Sequence, residues 1–304
     1  MPPIPPPDSS GFTTSTEVPL YWAAYGAADA PPLLVLHGGP GAHHDYLLPQ
    51  MLAIGEGRRL VFYDQRGGGR SRSDDRRTPI TWHTHVEDLA RVATELDIDP
   101  LGIVGYSWGG LLALLYALAA HRGEVVPAPT RLVLIDPAPV TRQYRRSLEA
   151  ELARRQDAPA VAAMREKLAA SGLREKDPDA YRHRAFELSV AGYFADPAAA
   201  RDLTPFRVTG RVQQSVWESL GDFDLREELR QLRMPVLIVH GREDPIPVDS
   251  SVQVAQALGA RLVVLEGSGH VPYVERPEPL FAAVERFLRE SDVSAAPAPR
   301  SSAS

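Results

Sequence analysis

Apolar residues along this chain follow two rhythms. Short unbroken runs occur at "LLVL" (33–36), "LVFYD" (60–64), "LGIVGY" (101–106), "RLVLID" (131–136), "PVLIVH" (235–240) and "RLVVLE" (261–266). Their length and β-branched content are those of strands. The lack of alternation indicates strands covered on both faces, as in a parallel sheet. "PLYWAAYG" (19–26) does alternate and suits an outer strand. Between these runs the apolar spacing becomes helical. In "TWHTHVEDLARVATELDI" (81–98), Val86, Leu89, Ala90, Ala93 and Leu96 share one face, and a capping box is expected at Thr84 and Glu87. "PEPLFAAVERFLRE" (277–290) is a second amphipathic helix, whereas "LLALLYALAA" (111–120) is apolar all round. That run is too short to span a bilayer and reads as a buried helix. Strands alternating with helices predict an α/β fold, a mostly parallel sheet with helices on both faces.

From 137 to 234 the alternation stops. Helical stretches such as "RQYRRSLEAELARRQ" and "PDAYRHRAFELSVAGYFA" are separated by prolines, with arginine and alanine abundant and no strand-like run. A helical insertion is the simplest reading: an α/β core over 1–138 and 232–291, and a helical cap over 139–231. The opening "MPPIPPPDSSGF" has neither the basic region nor the apolar run of a secretory signal and predicts an extended proline-rich arm over 1–10. Residues 292–304, ending "APAPRSSAS", predict a disordered tail. With 304 residues, 44% of them hydrophobic and 24% charged, the composition is that of a soluble globular protein. A cytoplasmic location is therefore expected. A net charge of −6 gives no electrostatic reason to expect nucleic acid or an anionic membrane as partner. The absence of cysteine excludes disulfides, thiolate nucleophiles and cysteine-bound metal.

Chemistry concentrates behind the strands. "LGIVGYSWGG" places G-x-S-x-G between a strand and an apolar helix beginning near Trp108, the context in which such a serine is projected from a sharp turn. Two partners follow in chain order. Asp244 lies just past the strand in "VLIVHGREDPIP", and His270 past the next strand in "LVVLEGSGHVPYVERP". A serine hydroxyl is a poor nucleophile until an imidazole takes its proton and a carboxylate fixes the imidazole's tautomer. Ser107, Asp244 and His270 all follow carboxyl ends of strands, the edge where open α/β sheets bind ligands. The developing oxyanion needs backbone donors. The amide of Trp108 is one, and the glycine-rich "HGGPG" (37–41) supplies the second, assigned to Gly39.

"HGGPG", "FYDQRGGGRS", "GYSWGG", "HGREDPI" and "GSGH" together resemble the α/β-hydrolase superfamily and, more narrowly, the proline iminopeptidase (prolyl aminopeptidase) family. The resemblance implies an eight-stranded sheet with a helical cap inserted after the sixth strand. It also implies the triad Ser107, Asp244 and His270, with Gly39 and Trp108 as oxyanion donors. Such aminopeptidases hold the substrate's free ammonium with acidic residues reached from the cap. Here the candidates are Glu218 in "SVWESLGDFD" and, more weakly, Glu187 in "AFELS". Some relatives carry a second acid directly after the triad aspartate, where this chain has Pro245.

The expected activity is that of a serine hydrolase using an acyl-enzyme, without metal or organic cofactor, acting on a small molecule or short peptide. Release of an N-terminal proline or other small residue is the leading form. A carboxylesterase or amidase for small acyl groups is the alternative, and a non-catalytic ligand-binding protein a further one. "RGGGRS" lacks the ending of a phosphate loop; Asp64 and Arg66 are expected to brace the loops beside the oxyanion hole. His43, His44, His83 and His85 carry no ligand pattern and are read as surface or loop histidines.

Overall fold

The computed structural model describes residues 3–73 and 78–295. The six unbroken apolar runs all become strands: β3 (Pro32–Leu36), β4 (Arg59–Tyr63), β5 (Gly102–Tyr106), β6 (Arg131–Ile135), β7 (Val236–Gly241) and β8 (Arg261–Leu265). The alternating run becomes β2 (Tyr21–Tyr25). An eighth strand, β1 (Ser9–Phe12), pairs antiparallel with β2, so the extended arm expected over 1–10 ends in the sheet rather than in solvent. The order is β1-β2-β4-β3-β5-β6-β7-β8. β2 is antiparallel to β4, and every pairing from β4 through β8 is parallel.

Side-chain alternation divides the buried runs between two cores. Leu34, Leu36, Ile103, Leu132, Leu134 and Ile238 enter one apolar cluster, while Leu33, Val35, Val104, Val133, Ile135, Leu237 and Val239 enter the other. Both faces of the central strands are therefore covered, which is why polar residues in these runs are confined to their ends. The first core is closed by α1 (Trp82–Glu95), α2 (Trp108–His121) and α9 (Val248–Leu258). The second is closed by α10 (Pro272–Glu275) and α11 (Pro277–Ala295). α2 is buried at twelve of its fourteen positions, which explains its lack of a polar face.

Between β6 and β7 lie α3 (Arg142–Gln156), α4 (Pro159–Ala170), α5 (Leu173–Lys176), α6 (Pro178–Val190), α7 (Gly210–Leu220) and α8 (Arg226–Leu229), with no named strand among the described residues. One isolated bridge, Thr141 to Asp224, closes the base of this segment. No helix among the described residues is long and apolar enough to cross a membrane.

Local expectations fail at some ends. The N-cap of α1 is Thr81, not Thr84. The Thr81 hydroxyl accepts from the Thr84 amide at 3.2 Å, and the Thr84 hydroxyl accepts from the Thr81 amide at 3.0 Å, so a threonine replaces glutamate as the reciprocal partner. The expected tail begins late, because α11 continues to Ala295; the remainder lies outside the described residues. His44 and His85 are buried rather than on the surface.

Glycines at the carboxyl edge permit backbones to touch. A Cβ on Gly109 would collide with the Leu36 carbonyl oxygen, whereas one on Gly210 would meet nothing within 4 Å. Gly109→Ala is therefore expected to cost about 1–3 kcal/mol in denaturant unfolding. Gly210→Ala should be neutral or stabilising by up to about 1 kcal/mol. Equal shifts would contradict this packing.

Candidate active site

Four loops meet at the carboxyl edge of the parallel strands, after β3, β5, β7 and β8. Ser107 connects β5 to α2 with φ of +53° and ψ of −119°, a conformation that costs a non-glycine residue about 1–3 kcal/mol. The neighbouring glycines allow it. A Cβ on Gly105 would strike the Gly109 carbonyl, so the strand and helix backbones can pass only without side chains.

The hydroxyl turned outward by this bend lies 2.9 Å from Nε2 of His270, and Nδ1 of the same ring lies 2.7 Å from Asp244 Oδ2. A carboxylate can only accept, so Nδ1 carries the proton and Nε2 is left as the acceptor facing Ser107. The other Asp244 oxygen accepts from the Ile246 amide at 2.7 Å. Burial alone would raise the Asp244 carboxyl, but the adjoining His270 and His240 hold it below its ordinary value. Asp136, at φ +42°, sits behind it, and burial together with the Asp244 charge pushes its pKa well up. Asp136 Oδ1 accepts from the Gly241 amide at 2.7 Å. Asp136, His240 and Asp244 cluster closely enough to suggest metal ligands. However, both His240 nitrogens are engaged, with Ser251 Oγ at 2.8 Å and the Ile246 carbonyl at 2.9 Å. His240 reaches Asp244 through Ile246, whose carbonyl it contacts and whose amide donates to Asp244.

The HGGPG loop approaches from the β3 side. A Cβ on Gly38 would lie 2.8 Å from Ser107 Cβ, so only glycine fits there. The Gly38 amide donates to Tyr46 Oη at 2.6 Å and is thereby occupied. Gly39 has φ of +55° and lines the same cavity as Ser107. Trp108 is the first residue of α2, where a backbone N–H has no intrahelical acceptor.

Sequence reasoning passed over residues that hold these loops in place. The Trp108 indole donates to Gln65 Oε1 at 2.8 Å, the Gln65 amide side chain donates to the His37 carbonyl at 2.8 Å, and the Gln65 backbone N–H donates to His37 Nε2 at 3.0 Å. Gln65 thus couples the glycine loop to the helix behind Ser107, and its only sequence signal was its place between Asp64 and Arg66. Those two neighbours brace as expected. Asp64 accepts from His44 Nδ1 at 2.6 Å and from the Arg70 amide at 2.9 Å, and Arg66 grips Asp88 with two bonds of 2.8 and 2.7 Å. Glu275 was also missed. It accepts from the Gly269 amide at 2.7 Å and the Ala195 amide at 2.8 Å, tying the His270 loop to the inserted segment. The His270 amide itself donates to the Tyr193 carbonyl at 2.7 Å, and Tyr106 Oη donates to the His270 carbonyl at 2.7 Å.

A cavity of about 390 Å³ opens over Ser107. Among the described residues, its lining carries Tyr46, Tyr106, Phe186, Tyr193, Phe206 and Tyr273, and no carboxylate. The structure brings neither expected ammonium ligand here. Glu187 is paired with Arg184 at 2.8 Å on its own helix and lines a different cavity. Glu218 is exposed, accepts from Gln214 at 2.7 Å and lines a cavity that shares only Gln213 with this one. In each case a polar neighbour one helical turn away satisfies the acid.

His37 and His85 are buried beside this network, and burial lowers their pKa values to about 4 and about 3. The unfolded chain titrates its histidines near 6.5, so it gains protons first on acidification while the folded state excludes them. The contribution of these two groups is whole above pH 6.5 and is lost as pH falls toward their folded values. The melting temperature is expected to decline progressively between pH 6.5 and 4. A flat profile over that window would contradict neutral burial.

The sequence pattern of the alpha/beta hydrolase fold matches residues 31–277. A proline iminopeptidase of Clostridium botulinum is 26% identical over 293 residues, covering 93% of this chain and 99% of that protein. One from Lactobacillus helveticus is 25% identical over 270 residues, covering 87% and 92%. The crystal structure of a Mycobacterium smegmatis proline iminopeptidase superposes with a TM-score of 0.68 at 24% identity, covering 95% of this chain and all of the other. With the matched pattern spanning most of its length and the strand order and loop placement described above, the chain belongs to the alpha/beta hydrolase fold family.

Proposed function

We propose that the protein is a serine hydrolase working through an acyl-enzyme, and that its substrates are peptides or arylamides with a free N-terminal proline or another small residue. The observation that carries the chemistry is the chain of contacts from Ser107 Oγ to His270 to Asp244, at 2.9 and 2.7 Å. Ser107 Oγ attacks the carbonyl carbon while His270 Nε2 takes the hydroxyl proton. The amides of Gly39 and Trp108 receive the developing oxyanion, a donor pair in which each member typically contributes about 3–4 kcal/mol. The imidazolium returns its proton to the departing amine. Water, deprotonated by the same ring, then attacks the ester carbonyl and frees the acid and Ser107. The inserted helices over 139–231 act as a cap that closes over the acyl group.

The substrate class draws support from the proline iminopeptidases among the relatives and from the cavity itself, whose size suits a prolyl ring. In place of the expected glutamates, aromatic faces can hold an ammonium by cation–π attraction, worth roughly 0.5–2 kcal/mol. A second reading, hydrolysis of neutral acyl esters or amides, is favoured by the same carboxylate-free lining, since a buried ammonium without a counter-charge is costly.

Ser107→Ala is expected to lower turnover by about ten-thousand-fold or more while leaving the protein folded; substantial residual activity would place the nucleophile elsewhere. A panel of proline arylamide, its N-acetylated form and a short acyl ester decides the substrate class. The free amine should exceed the blocked form in kcat/KM by at least about tenfold, and faster turnover of blocked amide and ester would establish the second reading. Glu218→Gln should leave the free-to-blocked ratio within about twofold, in keeping with its exposed position.

A further inference from the structure

Beside the aromatic cavity lies a larger open one of about 1010 Å³, and the two share Phe186, Ser189 and Phe206 as a common wall. Their linings differ in charge. Among the described residues, the Ser107 cavity is lined by no acidic residue and no arginine, whereas the neighbouring vestibule carries five arginines against two aspartates. The aspartates are already used. Asp45 holds Arg70 through bonds of 2.6 and 2.8 Å, and Asp179 holds Arg182 on its own helix. Arg72, Arg207 and Arg211 remain. All three are exposed, and none has an ion-pair or hydrogen-bond partner among the described residues.

Their placement ties them to the reacting centre. Phe206 and Val208 line the Ser107 cavity while Arg207, between them, lines the vestibule, so one short segment forms the partition. That segment is anchored to the glycine loop, because the Thr209 amide donates to the Gly41 carbonyl at 2.9 Å. Arg211 stands in the first turn of α7, where a cation opposes the helix dipole instead of being stabilised by it. Helix stability therefore does not account for it. Arg72 comes from a different part of the chain, the loop after β4. Arginines from separate segments lining one open space can form a site for an anion, for which their planar donor geometry suits carboxylate and phosphate oxygens.

We infer that this vestibule binds an anionic group, a carboxylate or a phosphate, on the leaving half of the substrate, while the apolar acyl half occupies the aromatic cavity. The inference rests on the hydrolase reading for the division into halves. A leaving peptide with a free C-terminal carboxylate meets the requirement directly, and a phosphorylated leaving group meets it by the same chemistry.

The test separates binding from turnover. Three ligands with one scissile amide are prepared, ending in a free carboxylate, in a carboxamide, and in a phosphoserine carboxamide, each with a prolyl and with a butyryl acyl half. Affinity is measured by calorimetry on Ser107→Ala protein, and kcat/KM on the wild type. The anionic ligands should bind at least fivefold more tightly than the carboxamide in low salt. That ratio should collapse toward one in 0.5 M sodium chloride and in the Arg207→Gln, Arg211→Gln double variant, and the tighter of the two anions identifies the source. Equal affinities for all three ligands, or no binding of any, would overturn the inference. Anion-selective binding without cleavage would uphold it and reject the hydrolase reading, while cleavage without anion preference would do the reverse. Retention of the fivefold ratio in the double variant would also overturn the assignment to these arginines.

Discussion

The site depends on a contact between backbones. Where β5 turns into α2, the strand, the helix and the end of β3 pass so closely that Cβ atoms at Gly105 and Gly109 would strike carbonyl oxygens, and one at Gly38 would press on Ser107 itself. That proximity forces Ser107 into its left-handed conformation and directs its hydroxyl away from the sheet. The strain is small beside what restrains it, since β5 is buried between two apolar cores and most of α2 is buried in one of them. Fully burying each large apolar side chain there contributes roughly 1.5–3 kcal/mol.

Hydrogen bonds reaching across the chain carry this precision outward. Gln65 links the glycine loop to Trp108, and Tyr106 and Glu275 fix the His270 loop from below and beside. Each uses a buried or half-buried side chain to satisfy a backbone group of a loop that would otherwise lack a partner. The inserted helices enter the same network through the Tyr193 carbonyl and the Ala195 amide. The inserted segment is thereby bonded to the loop that bears His270.

Polarity is partitioned around Ser107. Aromatic rings line the Ser107 cavity, and arginines line the vestibule on the other side of the wall that includes Phe206. The two spaces share Phe186, Ser189 and Phe206 as a wall, so changes in the short stretch around Arg207 would alter the lining of both.

Much of this was legible in the chain. Unbroken apolar runs identified the parallel strands because burial on both faces confines polar positions to their ends, and glycine, serine, aspartate and histidine behind those strands are residues whose chemistry depends on local context that sequence displays. β1 was missed because an edge strand with one neighbour needs no apolar pattern, and "SSGF" has none. The cap of α1 was placed three residues late because threonine can serve as either member of the reciprocal pair. The acid residues went astray for a different reason. A glutamate's type says nothing about where its carboxylate points, and Glu187 and Glu218 find partners on their own helices. The amino-acid order thus displayed seven of the eight strands, the amphipathic and buried helices and the candidate reactive groups, all of which follow from short-range periodicity and residue chemistry. Only the tertiary structure decided which side chains face Ser107 and which face the arginines, because that depends on how helices distant in sequence pack against one another.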